Sequence, residues 1–184
     1  MNLQDDIKSV LSLFNSKKLF EAQKEAEIKI SKYPNSAALY NILGAIFAAN
    51  DNLDESVKNY KKSIKIDPNY AEAYNNLGIT LHRLNKFYES VDSYKKAINL
   101  KKDFAEAFNN LGSAKKALNK TNEAIEFFKK AINLKPHYAE AYNNLGRVYD
   151  DLGIKEEALE NFNKAIKIKP DYAEAHNHLG TVLR

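Results

Sequence analysis

The sequence of 184 residues contains no cysteine. Disulfide bridges, thiolate zinc sites, iron–sulfur clusters and a cysteine nucleophile are therefore excluded. Proline (4) and glycine (6) are scarce. No apolar run approaches the roughly 20 residues that a membrane helix needs. The opening segment, from Met1 to Phe14, places Asp5, Asp6 and Lys8 where a secretory signal requires unbroken apolar sequence. No export segment is evident, and a cytoplasmic protein is expected. Lys+Arg 28 against Asp+Glu 24 leaves +4, too mild an excess to argue by itself for nucleic acid or membrane. What is present in quantity is apolar material, 44% of the chain, enough for a packed core rather than a disordered tail.

The few glycines and prolines are periodic. Gly44, Gly78, Gly112, Gly146 and Gly180 fall 34 residues apart, as do Pro34 and Pro68, and Pro136 and Pro170, with Lys102 in the intervening proline slot. Count each unit from Ala37, Ala71, Ala105, Ala139 and Ala173. Position 4 is then Tyr40, Tyr74, Phe108, Tyr142 or His176, position 7 is always Leu, and position 8 always Gly. Position 20 is Ser or Ala, position 24 is Tyr60, Tyr94, Phe128 or Phe162, and position 27 is Ser63, Ala97, Ala131 or Ala165. Positions 4, 7, 8 and 11, and again 20, 24 and 27, follow the spacing of one helix face, so each unit is a helical hairpin. At position 15, Asp51, Asn85, Asn119 and Gly153 are residue types that tolerate the left-handed conformation that ends a helix. A glycine inside the first helix costs about 1 kcal/mol against alanine. It is tolerable where the missing side chain lets the second helix approach.

An aromatic-x2-Leu-Gly-x2 segment, then Ala/Ser-x3-aromatic, then Pro, at this period, resembles the tetratricopeptide repeat (TPR) family. The match covers four full units, 37–70, 71–104, 105–138 and 139–172, and the first helix of a further unit, 173–184. Residues 3–36 read as a degenerate first unit with Ala22 at position 20 and Pro34 at position 32, but with Ser9 and Val10 in place of Leu-Gly. Lys115, at an apolar position 11, and Lys102 are further departures. The resemblance implies an all-α, right-handed superhelical solenoid of helix-turn-helix repeats whose first helices line a concave groove that holds a peptide.

On a helical wheel, positions 2, 6, 9 and 13 lie opposite the packed face, with 5 and 12 beside them. Position 6 is Ile42, Asn76, Asn110, Asn144 and His178, and position 5 is Asn41, Asn75, Asn109, Asn143 and Asn177. A carboxamide both donates and accepts, so spaced asparagines suit the main chain of an extended peptide. Position 5 also suits packing between units. The pattern resembles the asparagine ladder in the repeat domain of O-GlcNAc transferase. Variable residues at positions 9, 12 and 13, Ile79 and Arg147 among them at position 9, set selectivity in this view: Ile42, Ala45 and Ala49 form an apolar patch for a hydrophobic side chain, while Arg83 and Lys116 meet an acidic one. Glu72, Glu106, Glu140 and Glu174 at position 2 would repel a peptide C-terminus, which argues against a carboxylate-clamp receptor for chaperone tails.

Other signals are set aside. Lys61, Lys62, Lys95, Lys96, Lys129, Lys130 and Lys164 form a stripe on the second helices, offset by acidic neighbours and read as a solvated exterior rather than a nucleic-acid or membrane surface. His176 and His178, two apart on a helix, point away from each other and cannot share a metal ion. No phosphate loop or metal motif is present, so neither catalysis nor a cofactor is expected. The function expected is a protein-interaction scaffold that binds an extended peptide. Two alternatives follow from a final segment of a single helix, with Leu179, Val182 and Leu183 partly uncovered: a substrate-docking part of a larger glycosyltransferase or sulfotransferase, or a module that forms homo-oligomers through that exposed C-terminal helix.

Overall fold

A computed structural model describes residues 2–184, and among them the chain forms helices and no strand. The helices are α1 (Leu3–Asn15), α2 (Leu19–Lys32), α3 (Ala37–Ala49), α4 (Leu53–Ile66), α5 (Ala71–Arg83), α6 (Phe87–Leu100), α7 (Ala105–Ala117), α8 (Thr121–Leu134), α9 (Ala139–Asp151), α10 (Lys155–Ile168) and α11 (Ala173–Val182). They fall into two compact units, Met1–Leu100 and Lys101–Arg184. In the first, α1 packs on α2 and α3, and each later helix packs on the one before it as far as α6. In the second, α7 to α11 do the same. None of the helices is long and apolar enough to cross a membrane.

Local chemistry sets the helix ends. The Ser36 hydroxyl caps α3 by accepting from the Leu39 amide, and the Asn52 side chain caps α4 through the Glu55 amide. Asp51, Asn85, Asn119 and Gly153 turn the chain between paired helices with φ between 58° and 73°. Lys17 occupies the corresponding place in the first hairpin at φ 58°, a conformation that the sequence does not advertise with its usual residue types. The proline slot filled by Lys102 does not alter the frame: α6 ends at Leu100, in register with α4 and α8.

The hairpins close on their glycines. A Cβ built on Gly44, Gly78, Gly112 or Gly146 would come within 2.5–2.8 Å of the ring of Tyr60, Tyr94, Phe128 or Phe162 respectively. These rings are buried, and position 27 beside them is equally closed. In the first unit, Tyr60, Leu77 and Leu81 form a cluster that takes in Ala45 and Val57. In the second, Ala124, Phe128, Leu145 and Val148 form one cluster, and Ala158, Phe162 and Val182 another.

The first hairpin solves the same packing problem with the sizes exchanged. Val10 stands at the glycine position and Ala26 at the aromatic one, both completely buried in one cluster with Ala22 and Leu39. At the position-4 ring site stands Asp6, and at the small position 27 stands Lys29. They make a salt bridge of 2.8 Å, and Lys32 adds a second at 3.2 Å. The Lys29 hydrogen bond, opposed by desolvation and supported by Lys32 and Tyr33, holds the Asp6 carboxyl down at about 2. Lys115, expected to be apolar, is buried too, and its ammonium pairs with Glu123.

Two expectations follow. Gly78→Ala should lower stability by about 1–2 kcal/mol in urea unfolding, because an overpacking cost of about 1–3 kcal/mol outweighs a helix-propensity gain of about 1 kcal/mol. Gly180, where an added Cβ would meet nothing within 4 Å, should show the opposite sign when changed to Ala. Asp6 stabilises the native state fully above the unfolded carboxyl value of 3.8, and that contribution is lost as pH falls through about 2. Asp6→Asn should remove this acid-side slope from the pH dependence of thermal unfolding, whereas Asp5→Asn should not.

Candidate functional site

The 3.6-residue helical period sets positions 5 and 6 of a first helix side by side, and in α5, α7 and α9 they are buried to different depths. The two asparagine columns accordingly have different fates. Asn75, Asn109 and Asn143 at position 5 are buried, Asn109 and Asn143 completely. This corrects their expected place on the binding surface, since a side chain with no exposed area cannot meet a ligand. Position 6 is half exposed at Asn76, Asn110, Asn144 and His178.

A single cross-repeat bond explains the difference. The Asn76 amide donates to Asn41 Oδ1 at 3.1 Å, and the Asn144 amide donates to Asn109 Oδ1 at 3.0 Å. His178 Nδ1 lies 3.0 Å from Asn143 Oδ1. In these three pairs position 5 is bonded to position 6 of the following repeat. Asn41 and Asn109 also donate, to the Tyr70 hydroxyl at 3.4 Å and to Glu140 Oε1 at 3.3 Å. Desolvation, with the nearby Arg147 charge, pushes the His178 ring below its ordinary value. The neutral ring is thereby favoured, and its Nδ1 is committed to Asn143. A histidine so placed reproduces the asparagine contact.

The remaining candidates separate in the same way. Ile42 is 7% exposed and belongs to the core cluster with Leu39, Leu43 and Ile46, so it drops out of the expected apolar patch. Ile79 is 39% exposed and Ala49 is also open. Arg83 is committed within the first unit, donating to the Ala48 carbonyl at 2.8 Å and to Asp51 at 2.7 Å. In the second unit, Lys116 is bound to Asp151 at 2.7 Å. Arg147 is exposed and pairs with no carboxylate among the described residues. Of the cationic candidates it is the one whose guanidinium is available. Glu106 is tied to Lys135 at 2.7 Å, which lowers its carboxyl. At the last helix, Val182 is buried rather than uncovered, and Leu183 is 67% exposed. No cluster of His, Asp and Glu capable of holding a metal ion occurs among the described residues.

Family models described as TPR repeat and tetratricopeptide repeat match residues 44–85, 80–118 and 112–153, and residues 139–172. The chain belongs to the tetratricopeptide repeat family. Its fold class is the all-α solenoid of TPR hairpins, in keeping with solved structures that resemble it. MamA is 24% identical over 95% of this chain and 98% of its own, with a TM-score of 0.76. TTC0263, a thermophilic TPR protein of Thermus thermophilus, is 18% identical over 98% of both chains at a TM-score of 0.82. YrrB, described as a TPR protein with an unusual peptide-binding site, is 22% identical over 94% of this chain and 89% of its own at 0.71. No curated protein matches the chain.

The burial of position 5 predicts unequal effects along the TPR ladder. Asn109→Ala empties a closed site and removes both hydrogen bonds of a completely buried side chain, and should cost about 1–3 kcal/mol in urea unfolding. Asn144→Ala, at a half-exposed place where water replaces the lost donor, should cost under about 1 kcal/mol. Equal losses would contradict the division between packing and surface asparagines.

Proposed function

We propose that this TPR chain is a non-catalytic interaction scaffold that holds an extended peptide segment on the exposed faces of its first helices. The observation that carries this is the side-chain ladder. Asn76 and Asn144 each spend one N–H on the preceding repeat, and His178 spends Nδ1, which holds the side chain in place. The carbonyl oxygen and second amide hydrogen of each asparagine, and Nε2 of the histidine, lie outside that bond. A row of groups immobilised before the ligand arrives loses less entropy on binding than mobile ones. Such groups bond peptide N–H and C=O without regard to side chain. The description of YrrB as peptide-binding is consistent with this use of the fold.

Selectivity then rests on few residues. Ile79 offers apolar contact in the first unit. Arg147 offers a bidentate partner for a carboxylate in the second. Arg83 and Lys116, already neutralised by Asp51 and Asp151, contribute less.

Selection from a random-peptide display library should enrich sequences on the wild-type chain. The enrichment should vanish on Asn76→Ala/Asn110→Ala/Asn144→Ala while circular dichroism stays helical. Arg147→Glu should shift the selected peptides from acidic toward basic residues, and Arg83→Glu should shift them less. Undiminished enrichment on the triple variant would rule out the ladder as the binding element.

A further inference from the structure

The second helices carry an arrangement that peptide binding does not use. Position 26 is lysine in four hairpins, and in three of them its ammonium lies near the position-4 ring of the same hairpin: Lys62 is 5.7 Å from the Tyr40 centroid, Lys130 is 5.9 Å from Phe108, and Lys164 is 5.8 Å from Tyr142. At Lys130 the group is completed by a second ring. Phe127 stacks on Phe108 with centroids 6.3 Å apart, and Lys130 is 5.6 Å from Phe127 as well. One repeat later, Asn161 stands in the place of Phe127. Its amide turns back onto its own helix and donates to the Glu157 carbonyl at 2.8 Å. No second ring stacks on Tyr142 among the described residues.

Two clefts adjoin Tyr142, and Asn161 lines the smaller of them, beside Glu157 and Glu160. A cleft of about 500 Å³ is lined by His137, Tyr142, Lys164, Lys167 and Ile168. A neighbouring one of about 340 Å³ shares Tyr142 and Lys164, reaches Asn161, and has Leu145 and Tyr149 in its wall. The larger volume falls in the range of roughly 300–1,000 Å³ typical of small-ligand sites. Charge is one-sided at the larger cleft, whose lining holds two lysines and a histidine but no carboxylate. Lys164 is held by Glu160 at 2.6 Å. Lys167 and His137 pair with no carboxylate among the described residues.

We propose that this cleft binds a small aromatic anion, a flat ring that carries a carboxylate. The ring lies against Tyr142, beside the Lys164 ammonium. The carboxylate meets Lys167 and the His137 side chain. Offset rings and a cation near a π face each add attraction beyond burial, and the anion gives the site its sign preference. The site lies between α9, α10 and the turn before α9, and it does not depend on the ladder or on any peptide.

The test uses the full chain and 2-naphthoate, followed by amide chemical shifts in ¹⁵N-correlated NMR spectra. Saturable binding with a Kd at or below about 1 mM is expected, with the shifts gathered at His137, Tyr142, Lys167 and Ile168. Uncharged 2-naphthylmethanol and inorganic phosphate should each bind at least about tenfold more weakly, since each supplies half of the recognition. Lys167→Glu should weaken naphthoate at least tenfold. Tyr142→Ala should weaken it likewise in a chain that circular dichroism shows still helical, because it removes the ring on which the ligand stacks. The proposal is overturned by an absence of saturable shifts at millimolar naphthoate, by equal affinity for the alcohol or for phosphate, or by unchanged binding to folded Lys167→Glu and Tyr142→Ala. It is also overturned if a peptide with adjacent Phe and Asp shifts these amides and naphthoate does not, since that assigns the cleft to a protein partner.

Discussion

The contact on which everything else rests is that between a glycine in each first helix and an aromatic ring in the second. With no Cβ at Gly44, Gly78, Gly112 and Gly146, the rings of Tyr60, Tyr94, Phe128 and Phe162 lie against bare backbone. That approach brings the small residues at positions 20 and 27 into the same closed layer. Interiors pack at near-crystalline density, so one methyl group in the wrong place displaces a whole ring. Once the pair of helices is locked, the outward face of the first helix is determined, and with it the residues that a partner can reach.

The first hairpin shows that the constraint concerns volume and not residue names. Val10 and Ala26 exchange the large and small roles, and Asp6 with Lys29 replaces an aromatic with a small residue. A buried carboxylate is costly unless it is paired. Here two lysines meet it, which is why a pattern that lacks the Leu-Gly signature still forms α1 and α2 in the common register.

Much of the candidate surface was legible as a set of helix positions, and less of it as individual residues. The wheel brought Asn109 and Asn110 to the same side of α7 and could not say which of them faces inward. A bond between neighbouring repeats makes that choice: Asn144 reaches back to Asn109 and Asn76 to Asn41, so position 5 is drawn into the structure and position 6 stays at its surface. Contacts between residues far apart in sequence likewise set Arg147 apart from Arg83 and Lys116. All three read alike as cations, but Asp51 and Asp151 are folded against two of them. Ile42 was lost to the core because α1 and α2 cover it, and the repeat pattern carried no weight for a hairpin whose signature is rewritten.

The sequence alone therefore determined the helical hairpins, their 34-residue register, their turns at Asp51, Asn85, Asn119 and Gly153, and the family. These features depend on residue size, backbone freedom and periodicity, which are local properties written at fixed spacing. Tertiary structure decided which asparagine is buried, which cation is free, how Lys17 and Lys115 are tolerated, and where a cleft opens beside Tyr142. Each of these depends on atoms brought together from different hairpins or on volume left unfilled between helices. Neither quantity exists until the chain has packed.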